Sequence, residues 1–549
     1  MATAGSGGPG SVTSPLIDAL RRPGAYPHPV DAIAVIETHI SWVLLTGPVA
    51  YKLRKPVDLG FVNFTTLERR LHDCREELRL NRRLVHDLYL GLAAVVPSEQ
   101  GPRLRELAED RSDAEILGSP LLEVAVRMRQ FPQEALLPAA LARGEVGGEQ
   151  VDHLAETLAR FHAAAAIAPA GGPLGTPAAA REPVEANVAC LRQRAAAALQ
   201  PRLERLAAWN TGAFAALEPL LHRRLQQGRV RECHGDLHLG NMLLRAGRIE
   251  VFDCLEFSPA LRWIDVVSDL AFLVMDLGQR GQPALGARLL NRWLECSGDY
   301  EGLPLWRWFV SYRALVRAKV AALSGDCSSD GAVAAYLALA EVTITPPPQA
   351  LLICHGLSGS GKSHHSGPLA AELGAIRLRS DVERKRLFGL WGIPARASRQ
   401  GDPYAREVSE ELFGARLPAL AEGVLAAGFP VIVDACFLRR CDRAAMAAVA
   451  ERAGVPLLIL EFIAPEALLR ERIERRQRGG SDPSDADLAV LERQIGWHEP
   501  LSAAELQRSI PVTPASTVDT TAAAVRSRLR LAAPELPADA RTPRGSRGA

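Results

Sequence analysis

An apolar stretch followed by a glycine-rich loop, at residues 350–363, restricts the fold of this chain more than any other feature. Residues 350–355 (ALLICH) have the length and composition of a buried strand, and helix-compatible sequence begins after Lys362. The loop between them, GLSGSGKS, fits G-x-x-x-x-G-K-[ST], a pattern whose backbone N–H groups converge on phosphate oxygens. The sequence therefore predicts a strand, a phosphate-binding loop and a helix within a parallel α/β sheet.

This loop and a later strand supply the groups that would bind ATP and Mg²⁺. Lys362 would reach the terminal phosphates, and the hydroxyl of Ser363 would bind Mg²⁺. A second apolar strand, residues 429–433, ends at Asp434, whose carboxylate would orient a water molecule on the same ion. The candidate ATP-binding residues of the loop are Gly356, Leu357, Ser358, Gly359, Ser360, Gly361, Lys362 and Ser363.

An arginine-rich segment after the apolar residues 457–460 is a candidate lid. Arg472 and Arg476 are four residues apart, so on a helix they share a face and could close over a transferring phosphoryl group as part of the ATP site. Arg470 and Arg475 lie in the same segment, and the sequence does not say which arginine acts. In a chain this rich in arginine, the segment could equally be a solvated helix.

A second phosphotransfer pattern lies in the first half of the chain, at residues 234–241. The octapeptide HGDLHLGN has the spacing H-x-D-L-x-x-x-N of a kinase catalytic loop, and a strand-like stretch leads into Asp253. Asp236 is the candidate catalytic base for a substrate hydroxyl, while Asn241 and Asp253 are the candidate Mg²⁺ ligands. Alternatively, Asp236 and Asn241 are ordinary turn residues.

These residues, together with 251–256 and 263–270, resemble the aminoglycoside-phosphotransferase family of kinase-like enzymes. The resemblance implies a two-lobed, protein-kinase-like α+β fold with a small nucleotide-clamping lobe and a larger helical lobe. It also implies that Lys52 contacts the α and β phosphates of ATP and that Glu77 is its partner from a helix, with the adjacent Glu76 as the alternative. No G-x-G-x-x-G precedes Val49, so the turn at Thr46-Gly47 is expected to cover the phosphates. Lys52 could otherwise be a solvated lysine of an edge strand.

The second half is similar to small P-loop kinases of the gluconate-kinase, adenylate-kinase and polynucleotide-kinase branch. Asp381 and Arg384 resemble the D-x-x-R element of those enzymes, which implies that Asp381 is catalytic and takes the proton of the substrate hydroxyl. Otherwise Asp381 would cap a helix. The order of the two halves resembles the bacterial bifunctional aminoglycoside-phosphotransferase/ATP-binding family over nearly the whole chain.

Composition narrows the choice of partners. The net charge of +1 gives no basic stripe for a nucleic acid, and no run of apolar residues is long enough to span a membrane. Nine scattered cysteines without a C-x-x-C pair suit a reducing compartment, so the protein is expected to be cytoplasmic. The sequence does not indicate an oligomeric state.

The proline run at residues 346–348 divides the chain, because consecutive prolines favour an extended spacer. We expect a multi-domain protein, with a kinase-like domain followed by a P-loop domain. The expected boundaries are a disordered lead-in at 1–27, the kinase-like domain at 28–345, the linker at 346–349, the P-loop domain at 350–533 and a disordered tail at 534–549.

The sequence predicts two ATP-dependent phosphotransferase domains, each transferring the γ-phosphate to a hydroxyl of a small molecule. The alternative is one small-molecule kinase domain fused to a regulatory ATP-binding P-loop domain. A scaffold without activity is disfavoured, because Asp236, Asn241 and Asp253 are all present. Residues 276–323 contain four acidic and seven basic residues, which favours a neutral or anionic acceptor over a polycationic aminoglycoside.

Overall fold

The computed structural model describes residues 14–60, 62–324, 329–391, 405–479 and 487–529, without the side chains of 476–479. The chain divides into two compact units. The first contains Met1–Trp293 and Leu305–Ile344, and the second contains Leu294–Pro304 and Thr345–Ala549. The short segment Leu294–Pro304 therefore folds with the second unit, although about forty residues separate it from the rest of that unit.

The first unit begins with a six-stranded antiparallel sheet. Its strands are β1 (Ala34–Glu37), β2 (Ser41–Leu45), β3 (Val49–Arg54), β4 (Tyr89–Val96), β5 (Arg103–Leu107) and β6 (Glu123–Arg129). The order across the sheet is β1-β2-β3-β6-β4-β5, so β3 lies inside the sheet and pairs with β2 and β6. An interior strand holds its side chains in fixed register, which suits a residue that must point at a ligand.

The helix Leu67–Asn81 packs on one face of this sheet. It begins at Thr66, whose side chain accepts a hydrogen bond from the backbone N–H of Arg69 and so caps the free end. Leu71 and Leu78 bury its apolar face among the sheet residues, and Glu77 is fully buried on the same helix. Burying each leucine contributes about 1.5–3 kcal/mol. The helix therefore carries a carboxylate into the interior beside β3.

The rest of the first unit is mainly helical. Two short strand pairs interrupt the helices, and all of these strands are antiparallel to their partners: β7 (Val230–Glu232) with β10 (Trp263–Asp265), and β8 (Met242–Arg245) with β9 (Arg248–Val251). The helices are α1 (Pro15–Ala19), α2 (Leu67–Asn81), α3 (Asp113–Leu117), α4 (Leu137–Ala142), α5 (Gly148–Ala164), α6 (Pro177–Arg194), α7 (Gln200–Gln226), α8 (Pro259–Arg262), α9 (Val266–Gln279), α10 (Pro283–Ser297), α11 (Trp306–Ser324) and α12 (Ser329–Ile344). The last turn of α10, from Leu294, belongs to the second unit.

The second unit has a five-stranded parallel sheet, as the sequence predicts. Its strands are β11 (Leu351–His355), β12 (Ile376–Arg379), β13 (Val431–Asp434), β14 (Leu457–Phe462) and β15 (Ser509–Val512), in the order β12-β13-β11-β14-β15. The three inner strands are almost continuously apolar and buried, as expected for a sheet covered on both faces. In such sheets, ligands bind at the carboxyl ends of the strands.

Helices connect and cover these strands. Helix α13 begins directly after the glycine-rich loop and ends at Gly374, which adopts the left-handed conformation that closes a helix. The helices of the second unit are α13 (Lys362–Leu373), α14 (Ser380–Leu387), α15 (Arg406–Glu411), α16 (Leu417–Ala426), α17 (Arg440–Ala453), α18 (Glu466–Gly479), α19 (Leu488–Trp497), α20 (Ala503–Leu506) and α21 (Val518–Arg528).

The expected disordered lead-in at 1–27 is wrong for its second part. Pro15–Ala19 forms α1, and Ile17 and Leu20 are buried against Leu44 and Tyr51. These apolar side chains cover one face of the first sheet, which gives the segment its structure. Residues 1–13 of the lead-in and the tail at 534–549 lie outside the described residues.

Candidate active sites

The first candidate site begins on β3, where Lys52 is held between two carboxylates. Its Nζ donates to Glu77 Oε1 at 2.8 Å and to Asp253 Oδ1 at 2.7 Å. Glu77 comes from α2, and Asp253 follows β9 with a left-handed backbone, φ 62°. Burial disfavours the charged ammonium, but Asp253 and Glu77 outweigh it and raise the pKa of Lys52. Lys52 therefore remains charged and is fixed in direction.

Arg54 is a member of this site that the sequence does not identify. Its side chain is 1% exposed, and its guanidinium bonds to the carboxylates of Asp73, Glu77 and Glu256. Lys52 and Arg54 are two residues apart on one strand, so their side chains point to the same face of the sheet. That spacing is the one sequence signal for Arg54. Because Glu77 bonds to both cations, Arg54 sets the position of the carboxylate that holds Lys52.

The catalytic-loop pattern places Asp236 beside an amide and an imidazole. Asp236 Oδ2 accepts a hydrogen bond from Asn241 Nδ2 at 3.0 Å and lies 3.4 Å from His238 Nε2. His238 Nδ1 accepts from the N–H of Gly240, which assigns the ring proton to Nε2, facing Asp236. Burial raises the carboxyl pKa, but His238 and His234 outweigh it and hold the pKa of Asp236 well below its usual range. Asp236 is therefore an ionised carboxylate.

Asp269, near the start of α9, fixes the backbone of this loop. Its carboxylate accepts the N–H groups of His234 and Gly235, both at 3.0 Å, and lies 3.2 Å from His162 Nε2. Gly235 has φ 85°, and a Cβ there would lie 3.1 Å from the carbonyl oxygen of Leu261. The glycine at the second place of the motif is thus required by the backbone.

The expected phosphate cover, the turn at Thr46-Gly47, closes the hairpin of β2 and β3. Thr46 Oγ1 donates to the carbonyl oxygen of Val49 at 2.6 Å, and the N–H of Gly47 donates to Gln130 Oε1 at 3.0 Å. The φ of Gly47 is 99°, a conformation that favours glycine. A phosphate oxygen that used this N–H would have to replace the Gln130 amide.

The second candidate site is the glycine-rich loop between β11 and α13. Lys362 Nζ donates to the carbonyl oxygens of Gly356 at 2.8 Å and Leu357 at 2.7 Å. A Cβ at Gly356 would lie 2.7 Å from the carbonyl oxygen of Phe462, and its φ is 146°. The loop therefore packs too closely for side chains at this position, and its lysine is bonded to the loop carbonyls.

Asp434, at the carboxyl end of β13, fits the role of a metal ligand. Its side chain is buried, and Oδ2 accepts no hydrogen bond within the described part of the chain. Arg379 Nε lies 3.7 Å from that oxygen. A buried carboxylate oxygen without a donor, in the same cavity as the hydroxyl of Ser363, offers the hard oxygen ligands that Mg²⁺ prefers.

Ser363 and Asp434 line a cavity of about 720 Å³ at the carboxyl ends of the strands. The loop residues Ser358, Gly359, Gly361, Lys362 and Ser363 form one wall. Asp381 and Arg384 of α14 line the same cavity, so the structure brings the proposed base of the D-x-x-R element to the loop. The volume is within the usual range for a small-molecule site.

Helix α19 supplies a wall that the sequence does not identify. Val490, Arg493, Gln494 and Trp497 line the cavity, and their spacing of three or four residues places them on one face of the helix. Gln494 Oε1 accepts the N–H of Ser358 at 2.8 Å, which ties the helix to the loop. Trp497 is 46% exposed in this cavity, and a tryptophan ring left open in a cavity suits contact with a ligand.

The described arginines of α18 lie in two different environments, one at the loop and the other on the helix surface. Arg472 Nη1 donates to the carbonyl oxygen of Gly359 at 3.3 Å and lines the cavity. Arg470 and Arg475 instead pair with glutamates four residues earlier on the helix surface. The side chain of Arg476 lies outside the described residues. Of the described candidates for a lid arginine, Arg472 is the one at the loop.

His355 at the end of β11 supports the loop from behind. Its Nδ1 lies 3.0 Å from the carbonyl oxygen of Phe437 and therefore donates, which leaves Nε2 to accept from His498 Nε2 at 3.1 Å. Phe437 has φ 33°, which is rare for a residue with a side chain. Burial lowers the pKa of His355 to about 4, so this pair of imidazoles requires His355 to be neutral.

Acidification from pH 6.5 to 4 is expected to destabilise the second unit by about 3 kcal/mol. A histidine in the unfolded chain titrates near 6.5 and His355 in the fold near 4, so the stability present above pH 6.5 is lost through this window. Urea unfolding at several pH values measures the loss. His355→Asn keeps a donor for Phe437 and should flatten the profile, whereas the exposed His364→Asn should not. An unchanged profile in His355→Asn would contradict the assignment.

Family models match most of both units. Residues 67–306 match the phosphotransferase enzyme family, and residues 351–501 match an AAA domain. Uncharacterized proteins of Mycobacterium tuberculosis and Mycobacterium bovis are 29% identical to the chain over 496 residues, which cover 86% of this chain and 92% of each relative.

Solved structures are similar to one part or the other. The GDP and kanamycin complex of APH(2")-IIia is 14% identical with a TM-score of 0.37, covering 58% of this chain and 96% of that one. A choline/ethanolamine kinase family protein of Mesorhizobium loti is 13% identical with a TM-score of 0.37, covering 65% and 98%. The APS kinase of Mycobacterium tuberculosis is 21% identical with a TM-score of 0.25, covering 34% and 99%.

Proposed function

Because the chain joins a domain of the phosphotransferase enzyme family to an AAA-type P-loop domain, we propose that both sites transfer the γ-phosphate of ATP to a hydroxyl of a small molecule. The observation that carries this proposal is the arrangement of the first site. A charged Lys52 lies between two carboxylates, and an ionised Asp236 is bonded to Asn241. These are the cation, the metal ligands and the proton acceptor that phosphoryl transfer needs.

At the first site, Lys52 would neutralise phosphate charge while Glu77 and Arg54 keep it in place. Asp236 would orient the acceptor hydroxyl and take its proton as the new oxygen–phosphorus bond forms and the bond from the γ-phosphorus to the leaving ADP breaks. Its low pKa makes it a weak base at equilibrium, so we expect the proton to move late in the transfer. Asn241 and Asp253 carry an amide and a carboxylate, which suit Mg²⁺, and the ion would neutralise developing charge on the phosphoryl oxygens.

At the second site, Lys362 would exchange its loop carbonyls for phosphate oxygens, and Asp381 would accept the hydroxyl proton. Ser363 and Asp434 would hold Mg²⁺. The cavity is lined by Asp381 and by α19 as well as by the loop, and its volume of about 720 Å³ leaves room for an acceptor, which favours an active kinase over a regulatory nucleotide switch. Localisation in the cytoplasm belongs to the same proposal and is supported by the free thiols of the eight described cysteines.

For the first acceptor we propose a neutral or anionic compound. Several basic residues of the segment 276–323 pair with carboxylates, as Arg288 does with Asp152 and Arg292 with Glu156. Arg317 and Lys319 instead contact the neutral side chains of Tyr336 and Asn187, at 3.5 Å and 3.0 Å. Neither cation is bonded to a carboxylate of a described residue, so both would repel a polycationic substrate and attract an anionic one.

The test is ADP formation by the full chain over a panel of hydroxyl metabolites and aminoglycosides, with the phosphorylated product identified by mass spectrometry. Lys362→Met should remove the activity of the second site by about 10²–10³-fold, because it deletes a cation at the transferring group. The activity toward the first acceptor should remain. If no hydroxyl compound accelerates ADP formation, the proposal fails. If Lys362→Met changes nucleotide binding but leaves the turnover of every acceptor unchanged, the second site is a regulatory ATP-binding site.

A further inference from the structure

A buried carboxylate from the segment Leu294–Pro304 lies within the second unit, close to the proposed metal ligands. Glu295 is 1% exposed, and this segment folds with the P-loop sheet. Arg377 Nη2 donates to Glu295 Oε1 at 2.6 Å, and Arg379 Nη1 lies 3.7 Å from Glu295 Oε2. Both arginines are on β12, two residues apart, so they project from the same face of the strand.

Each of these arginines also lies beside one of the two proposed Mg²⁺ ligands, Ser363 and Asp434. Arg377 Nη1 donates to the carbonyl oxygen of Ser363 at 3.2 Å, and Arg379 Nε lies 3.7 Å from Asp434 Oδ2. Glu295 thus connects through one arginine to the backbone of Ser363 and through the other to Asp434. β12 and β13 are paired in parallel, with Arg379 opposite Asp434, so the strand register fixes this arrangement.

Arg379 is shared between two carboxylates, at equal distances of 3.7 Å. An arginine that closed fully on Asp434 would form a charge-assisted pair and occupy the oxygen that the ion needs. The charge of Glu295 opposes this closure, because it attracts the same guanidinium from the other side. Removing that charge should therefore move Arg379 toward Asp434.

We propose that Glu295 is a positioning residue of the second site, which keeps Arg379 off Asp434 and, through Arg377, holds the backbone of Ser363. This rests on the proposed function, in which Ser363 and Asp434 bind the Mg²⁺ of the nucleotide. The residue comes from a part of the sequence that precedes the proline linker. The P-loop site is therefore completed by a segment outside its own stretch of sequence.

The test is the Mg²⁺ dependence of ADP binding by the full chain, measured by calorimetry. The second site is identified as the part of the binding signal that Lys362→Met removes. Glu295→Gln keeps the shape and the acceptor oxygen for Arg377 but loses the charge. We expect the Mg²⁺ concentration for half-maximal effect to rise about fivefold, as one competing ion pair is gained, while binding of metal-free ADP stays within twofold. Glu301→Gln, an exposed change in the same segment, should alter neither.

Arg379→Met completes a double-mutant cycle. Alone it should leave the Mg²⁺ requirement equal to or lower than that of the wild type, and combined with Glu295→Gln it should cancel the fivefold rise. The inference is overturned if the Mg²⁺ requirement of Glu295→Gln stays within twofold of that of the wild type. It is also overturned if Arg379→Met raises the Mg²⁺ requirement. The second outcome can be measured even if Glu295→Gln does not fold. If wild-type binding shows no Mg²⁺ dependence at all, the proposed metal site fails as well.

Discussion

Replacing Asp236 with asparagine is expected to slow phosphoryl transfer at the first site by about 10²–10⁴-fold, while ATP binding changes little. The amide has nearly the same shape as the carboxylate and can still accept from Asn241, but it cannot take the proton of the acceptor hydroxyl. The measurement is the single-turnover rate with saturating ATP and an acceptor found in the metabolite panel. Because the rate and not the affinity should fall, the effect would place Asp236 in the chemical step.

Asp87→Asn is the matched control, because the side chain of Asp87 is 61% exposed and pairs with Arg245 on the surface. It should leave the rate unchanged. Turnover at the second site should also be unaffected by Asp236→Asn. A loss of ATP affinity equal to the loss of rate would show that Asp236 acts in binding, and the role assigned to it would be wrong.

Arg54→Met is expected to lower the free energy of unfolding of the first unit by about 3–5 kcal/mol. The substitution leaves the buried carboxylates of Asp73, Glu77 and Glu256 without the guanidinium that joins them. Uncompensated buried charge is costly, and Glu77 would also lose one of the two cations that position it. Urea unfolding measures the effect, with the two units fitted as separate transitions.

Arg69→Met is the control for this change, because Arg69 is exposed on the same helix as Asp73 and Glu77. It should shift the transition by no more than about 0.5 kcal/mol. Adding Asp73→Asn to Arg54→Met should recover part of the lost stability, since it removes one of the unpaired charges. If the double variant is no more stable than the single one, lost packing and not charge explains the effect.

The fold is largely predictable from the sequence. The parallel sheet of the second unit is confirmed, because its strands are short apolar runs and its loop has an unambiguous glycine pattern. The kinase-like fold of the first unit is also confirmed, because residues 67–306 match the phosphotransferase enzyme family. Its prediction depended on the family resemblance more than on apolar periodicity, since α2, Leu67–Asn81, carries few apolar residues. Its buried face includes Glu77 and Asn81, and such polar burial is not visible in a hydrophobic pattern.

The candidate sites are predictable where a motif fixes the spacing. For Lys52 and Glu77 the family resemblance takes the place of a motif, and Lys52 lies 2.8 Å from Glu77 and 2.7 Å from Asp253 although Asp253 is far from both in sequence. Arg54, Asp269, Gln494 and Glu295 cannot be found in this way, because each acts through a partner on another element. A charged residue on a strand or helix is usually solvated, and the sequence does not show which of these side chains are buried and therefore take part in a site.

The division of the chain in space does not coincide with its division in sequence. A cut at the proline linker would produce one fragment whose arginines, Arg377 and Arg386, lack the segment that accepts their hydrogen bonds, and another that carries that segment without them. Domain boundaries usually fall in such proline-rich linkers. An exchange of domains at the proline linker would leave the P-loop domain without its own Leu294–Pro304 segment. The two halves are therefore expected to be inherited together.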